Sequence, residues 1–429
     1  MSVTFPVSEF TAIEKAKRVQ ILNDCTVSSL PSLQAQSEKI ECFMVEGDHA
    51  YLPKYYAENT NIKSLEQTYH QLSVSDTKFQ LREYQKVVEK EVDAVMSTYQ
   101  SILLSLHCGW GKSYFAILYA LKLNFQTLVT VYRVSHLEQW RQSILTVNKK
   151  LKIQVLENKT PKEEGMDFYL ILGENLAHRP CLEFKGVGTF IVDECHMFCT
   201  PSMSKSFMRV QPKYSMALSA TPFRTDQLDQ ILQLHFGYGM VKRKLYRYFN
   251  VYQLKTKFKP SVQETARGQL DWSHVIDSQA SRPERNKMIV NICQFFSNRT
   301  IMILTKRVDL QGQLLFDSLK EKGESVDLFV RTRQTYDRDA RILISTFSKA
   351  GVGFDNPKLD MLIVAGDVEE MFEQYLGRVF RRMDTVPIIV DIVDDFHVFS
   401  KHFNTRMITY LNSGGIIKPF QKNFPECPL

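Results

Sequence analysis

Residues 101–113 read Ser-Ile-Leu-Leu-Ser-Leu-His-Cys-Gly-Trp-Gly-Lys-Ser. These residue types at this spacing suit the binding of phosphate. Backbone N–H groups that wrap phosphate oxygens need close approach, and a Cβ at Gly109 or Gly111 would obstruct it. Lys112 would reach the β- and γ-phosphates of a nucleotide, and Ser113 would place a hydroxyl on Mg²⁺. Taken alone, the stretch also fits a glycine turn ahead of a core helix, and Leu106 stands where such loops usually open with glycine. Phe190-Ile191-Val192-Asp193-Glu194-Cys195-His196 adds two adjacent acids at the end of an apolar run. Burying them is expensive unless they act. Beside a phosphate loop, Asp193 can hold Mg²⁺ through water, and Glu194 can orient and deprotonate an attacking water. His196 could couple that site to a neighbouring element. Ser219 and Thr221, in Ser-Ala-Thr-Pro, can link the acids to whatever binds above them.

Two further groups bear on the same chemistry. Gln85 opens a helix about twenty residues before the loop, and its amide can both donate to and accept from an adenine edge. Arg82 could stack on the base. Far downstream, Gln374, Arg378 and Arg381 fall within one or two helical turns of one another. Guanidinium groups so placed can reach a γ-phosphate presented across a cleft and stabilise its transition-state charge. A basic surface helix is the plainer reading. Residues 241–260 interleave lysines and arginines with Tyr246, Tyr248, Phe249 and Tyr252. Stacking plus charge is how single strands are held. A linker that becomes an edge strand with a solvated basic face fits as well.

Positioning these groups requires a parallel sheet. Strand signals at 127–132, 168–172, 189–192 and 214–219 alternate with helical segments, among them 83–96 and 137–145. That is a βαβα pattern, whose ligands bind at the carboxyl edge. A second series follows at 301–304, 326–330, 341–345, 361–364 and 388–392, without a phosphate loop. The expected plan is an accessory domain over 1–77, α/β lobes over 78–240 and 261–429, and a linker over 241–260. Residues 1–77 carry no nameable chemistry. A helix over 10–22 and a hairpin around Gly47-Asp48 suggest a cover, a nucleic-acid-contacting appendage or a partner-docking site.

The 429 residues are 44% hydrophobic and 24% charged, ample for real cores. A net charge of +7 permits nucleic-acid binding without demanding it. Eight cysteines without paired spacing predict reduced thiols in an intracellular protein. Cys195 and Cys199 around His196 read as part of the acidic motif, not as a metal site. No apolar run approaches the ~18–20 residues of a membrane span, so no membrane partner is expected. The first residues show no secretory signal.

Read jointly, Cys-Gly-Trp-Gly-Lys-Ser, Asp-Glu-Cys-His, Ser-Ala-Thr-Pro, Gly-Val-Gly-Phe-Asp-Asn-Pro and Gln-Tyr-Leu-Gly-Arg-Val-Phe-Arg resemble superfamily 2 helicases of the DExH type. The match spans roughly residues 79–395. Its flavour is similar to the group of XPB, phage UvsW and helicases of large cytoplasmic DNA viruses, such as the poxvirus transcript-release helicase. Glu138-Gln139-Trp140 adds to that likeness. The resemblance implies two RecA-like lobes with ATP and Mg²⁺ between them and nucleic acid crossing both. It also implies strand contacts at Arg133 to Ser135, Thr305, Lys306, Ser345 and Thr346, with Asp355 near the ribose and Gly351 near the nucleotide. Leu172 to Asn175 fit the family pattern poorly, so no contact is assigned there. The expected activity is ATP-dependent unwinding of, or movement along, nucleic acid, DNA before RNA. A non-unwinding duplex translocase that remodels transcription complexes is the alternative, and an RNA helicase another. The intact Lys112, Asp193, Glu194, Arg378 and Arg381 set argues against a mere scaffold. The expected working form is a soluble monomer, acting with transcription or replication proteins and cytoplasmic if viral.

Overall fold

A computed structural model of the chain describes all residues except 31–37, 59–64, 108, 225, 267, 331, 332, 334, 352–355, 370, 371, 381, 383 and 421–429. The chain divides into two units, Met1–Leu106 with Trp110–Arg243, and Lys244–Leu429 with His107–Gly109.

The first unit opens with short strands: β1 (Ser2–Pro6), β2 (Thr26–Ser28), β3 (Lys39–Glu41), β4 (Met44–Glu46) and β5 (His49–Pro53). β1, β5 and β4 form an antiparallel sheet in that order, and β2 pairs with β3. The hairpin turn at Gly47, with φ +57°, is where the sequence puts it. The single helix expected over 10–22 is two, Val7–Ala12 and Lys15–Asp24. β6 (Ser101–Leu106), β7 (Thr127–Val131), β8 (Ile153–Leu156), β9 (Phe168–Leu172), β10 (Thr189–Asp193), β11 (Tyr214–Ser219) and β12 (Met240–Arg243) follow. They make a seven-stranded sheet, ordered β12-β6-β11-β10-β7-β9-β8, with every pairing parallel.

Strands covered on both faces read as continuous apolar runs, and alternate residues serve opposite layers. Ile102, Leu104, Val129, Ile191, Met216 and Leu218 pack with Val88, Val92 and Phe115 of the helices Glu83–Tyr99 and Lys112–Leu123. Leu103, Leu128, Phe190, Val192 and Ala217 share a core with Met1, Phe5, Val27 and Leu52. Each such side chain stabilises the fold by about 1.5–3 kcal/mol on burial. Residues 1–77 therefore supply much of one covering layer of the first sheet. They are tied to it by Ser2 N–H to the Val210 carbonyl (3.0 Å) and by Lys54 Nζ to the Lys213 carbonyl (2.7 Å).

The second unit holds β13 (Phe249–Lys255), β14 (Ile301–Thr305), β15 (Val326–Phe329), β16 (Ile342–Thr346), β17 (Met361–Val364), β18 (Ile388–Val393) and β19 (Gly415–Pro419). Their order is β15-β16-β14-β17-β18-β13-β19, again all parallel. Met302, Leu304, Leu343 and Leu362 feed one core, and Ile301, Ile303, Ile342 and Ile363 the other. Each unit thus carries the RecA-like sheet that the resemblance implies. The stretch expected as a linker contributes a strand to each sheet, β12 to the first and β13 to the second. Its charges hide Val241, Phe249, Val251 and Leu254, all of which are buried. No described helix is long and apolar enough to cross a membrane.

Candidate active site

The phosphate-loop candidate leaves the carboxyl end of β6. It turns through Gly109 (φ +80°) and Gly111 (φ +95°) into the helix Lys112–Leu123. Between the glycines Trp110 is 5% exposed, its ring edge-on to Tyr84 (5.6 Å) and Phe115 (5.3 Å). The indole anchors the loop in the core, and its carbonyl accepts from the Tyr84 hydroxyl (3.1 Å) and Gln85 Nε2 (3.3 Å). Gln85 Oε1 accepts the Arg82 N–H at 3.0 Å. Gln85 therefore braces the loop, and its amide keeps further donor and acceptor capacity for a base. Arg82 is exposed, with Nη1 donating to the Tyr84 hydroxyl at 3.1 Å. A Cβ added at Gly111 would stand 2.8 Å from Gln85 Nε2. Lys112 Nζ donates to the Leu106 carbonyl at 3.0 Å, and Ser113 is half-buried on the first helical turn. Free N–H groups at a helix start, a lysine over a glycine loop and an adjacent hydroxyl suit a triphosphate with its metal.

The acids stand at the end of β10. Asp193 Oδ2 accepts the Trp140 indole N–H at 2.8 Å, and Oδ1 accepts the Glu194 N–H at 3.0 Å. Burial pushes the Asp193 carboxyl up, and the Glu194 charge adds to this. His136, the Trp140 bond and Lys112 oppose the rise. Glu194 itself has φ +50°, a left-handed conformation rare for a side chain of its size. Among the described residues its buried Oε2 has no hydrogen-bond partner. His196 Nδ1 lies 3.6 Å from that oxygen and 2.9 Å from Ser219 Oγ, which also accepts the Thr221 N–H at 3.0 Å. Burial holds the imidazole below its usual range, with Glu194 opposing. His196 therefore stands at ion-pair distance from Glu194 and is hydrogen-bonded to Ser219, which in turn bonds Thr221.

Sequence reasoning assigned no role to two residues that the geometry brings in. Trp140 lies on the helix Val134–Val147 and fixes one oxygen of Asp193. Arg224 donates to the His196 carbonyl at 3.1 Å and pairs with Asp226 at 2.5 Å. No local spacing announces either contact. The one signal was an indole, a donor that must find an acceptor when buried.

The remaining expected residues divide. Ser135 is exposed at the start of the helix Val134–Val147, and the Arg133 guanidinium lies 5.8 Å from the Tyr132 ring. In the second unit Lys306 is half-buried, and burial lowers its pKa against the pull of Asp367. Thr346 is half-buried. Thr305 and Ser345, expected on a strand backbone, are both 0% exposed. The Thr305 hydroxyl donates to Gln311 Oε1 (2.6 Å), and that of Ser345 to the Phe329 carbonyl (2.8 Å). These hydroxyls hold strand ends together. Gln374 and Arg378 lie one turn apart on the helix Phe372–Val379, 4% and 9% exposed. Gly351 ends the short helix Phe347–Gly351 that follows β16. Arg381 and Asp355 lie outside the described residues.

Residues 78–224 match the family described as type III restriction enzyme, res subunit. The chain is 33% identical over 400 residues to "Putative helicase 161L" of Invertebrate iridescent virus 6, covering 87% of this chain and 90% of that one. It is 30% identical over 344 residues to "Putative helicase 055L" of Frog virus 3, covering 79% of each. A "Putative ATP-dependent RNA helicase" of African swine fever virus is 24% identical over 416 residues, 87% of this chain and 81% of that one. Among solved structures, S. cerevisiae Dbp5 bound to RNA and ADP BeF3 superposes with a TM-score of 0.52 at 13% identity. That match covers 74% of this chain and 85% of that one, and it supports the fold alone.

Proposed function

We propose, because the chain belongs to the superfamily 2 helicases in the group carried by iridoviruses and other large DNA viruses, that it is an ATP-driven motor moving along DNA. The observation that carries this reading is the meeting of Lys112, Asp193 and Glu194 at one sheet edge, with Glu194 Oε2 buried and, among the described residues, without a hydrogen bond.

The loop through Gly109 and Gly111 would hold the triphosphate, and Lys112 its β- and γ-oxygens. Gln85 and Arg82 would meet the base. Ser113 and Asp193 would hold Mg²⁺, which when bound neutralises phosphate charge. Trp140 keeps Asp193 facing that place. Glu194 takes the proton of the water that attacks the γ-phosphorus, and the bond to the bridging oxygen breaks to leave ADP and phosphate. Arg378 and Arg381 are proposed to stabilise the charge of that transition state, with Gln374, one turn before Arg378 on its helix, orienting the phosphate end. Gly351 and Asp355 are proposed to flank the nucleotide. His196, Ser219 and Thr221 relay the state of the site to Arg133, Ser135, Lys306 and Thr346, the proposed strand contacts. Those contacts are to phosphate, so binding carries little sequence preference.

Glu194→Gln tests the reading. A general base contributes roughly 10²–10⁴-fold, so turnover should fall at least about a hundredfold while ATP binding persists. Wild-type turnover in that variant would remove Glu194 from the mechanism. The names of several relatives favour RNA as the track, whereas the likeness to the XPB and UvsW group favours DNA.

A further inference from the structure

A cavity of about 320 Å³ opens at the carboxyl edge of the second sheet, where the chain leaves β14 and β17. Its walls include Trp272, Lys306, Asp367, Glu369, Tyr375 and His402. Asp367 is already engaged: its Oδ2 lies 2.5 Å from His402 Nδ1 and its Oδ1 3.3 Å from Arg406 Nη1. His402 Nε2 lies 3.3 Å from Glu369 Oε2, so the imidazole bridges two carboxylates. Glu369 is still 47% exposed, and one carboxylate offers about four acceptor positions. Among the described residues Lys306 makes no hydrogen bond or ion pair. Trp272 is half-buried, held edge-on by Phe399 and His402, each ring 5.8 Å away. Tyr375 is fixed by its hydroxyl, which donates to the Phe347 carbonyl at 3.1 Å.

We propose that this cavity takes one nucleobase, unstacked from a single strand whose adjoining phosphate Lys306 holds. The inference rests on the reading of the chain as a nucleic-acid motor and adds a base-reading element to a set of phosphate contacts. Two features select a base over a second phosphate. Beside its three charged residues the cavity is lined by the rings of Trp272, Tyr375 and His402 and by Val368, which suit the flat face of a base. The free acceptor is a carboxylate, which repels phosphate and accepts the amino group of a base. Cytosine, adenine and guanine carry such a group; thymine and uracil do not. The site therefore ranks amino-bearing bases above thymine and uracil at one position of the bound strand.

The test is an abasic scan with the full chain. Binding of a short fluorescent single strand, as DNA and as RNA, is followed by anisotropy while one abasic site is walked along it. The expected result is a single position at which base loss weakens binding roughly tenfold. Cytosine there should bind more tightly than thymine, a preference lost in Glu369→Gln, and the abasic effect should shrink in Trp272→Leu. Uniform small losses at every position in the unaltered chain overturn the proposal without any variant. So does a sensitive position whose dependence survives both substitutions. A chain that binds neither strand removes the motor reading itself, and the inference with it.

Discussion

Glu194 holds its side chain at the end of β10 by adopting a left-handed backbone, at a cost of about 1–3 kcal/mol. Among the described residues Oε2 makes no hydrogen bond, while the preceding acid is bonded on both oxygens, by Trp140 and by the Glu194 N–H. One acid is thus fixed by both oxygens and the other keeps an acceptor without a hydrogen bond, the division that the proposed metal ligand and base require. Trp140→Phe keeps an apolar aromatic ring at the site and removes the donor. A hydrogen bond to a charged group contributes about 1.5–3 kcal/mol, so ADP affinity in the presence of Mg²⁺ should drop at least about tenfold. ADP affinity in a chelator should hardly change. Equal losses in both titrations would mean that Trp140 only shapes the core.

At the scale of elements, the site depends on how one loop meets one helix start. Gly111→Ala puts a Cβ into the Gln85 amide and forces a side chain onto φ +95°. The strain of about 1–2 kcal/mol should lower the melting temperature by a few degrees and abolish nucleotide binding; unchanged melting and affinity would contradict the bracing role of Gln85. This junction was legible in the sequence because strand, glycines, lysine and helix are contiguous. Most strands of the two parallel sheets were legible for the same kind of reason, since burial on both faces makes them local apolar runs, whereas the half-exposed edge strands β8 and β19 were not. The layer built by residues 1–77 was legible only as one of three readings, a cover, because its contacts, such as Ser2 with Val210 and Lys54 with Lys213, join residues far apart in the chain. The Asp193–Trp140 bond escaped notice for that reason too. A hydroxyl at a strand end can meet a nucleic-acid backbone or close a turn, and those of Thr305 and Ser345 are turned inward.

Over the whole molecule, burial and charge make two bulk predictions. His196 and His235 are buried in the first unit and held below the usual imidazole range, chiefly by desolvation. On acidification through about 6.5 the unfolded chain takes up protons that the folded chain refuses, so stability should fall as pH drops below that value. Asp193, with its carboxyl pushed up, works in the opposite sense. The check is therefore urea unfolding at several pH values for the unaltered chain and for His235→Asn, whose slope below pH 6.5 should be shallower. Equal slopes would discharge His235 from the effect. The net charge of +7 and the proposed phosphate contacts predict strand binding that weakens steadily with salt; affinity independent of salt would contradict backbone recognition. The claim that joins residue, element and molecule is that ATP hydrolysis here is coupled to a nucleic-acid track. The most direct measurement is steady-state ATPase with no nucleic acid, single-stranded DNA, duplex DNA, forked DNA and single-stranded RNA, each alongside Glu194→Gln. The account predicts a low basal rate, strong stimulation by DNA and none in the variant. A flat, low rate across all five conditions would contradict it.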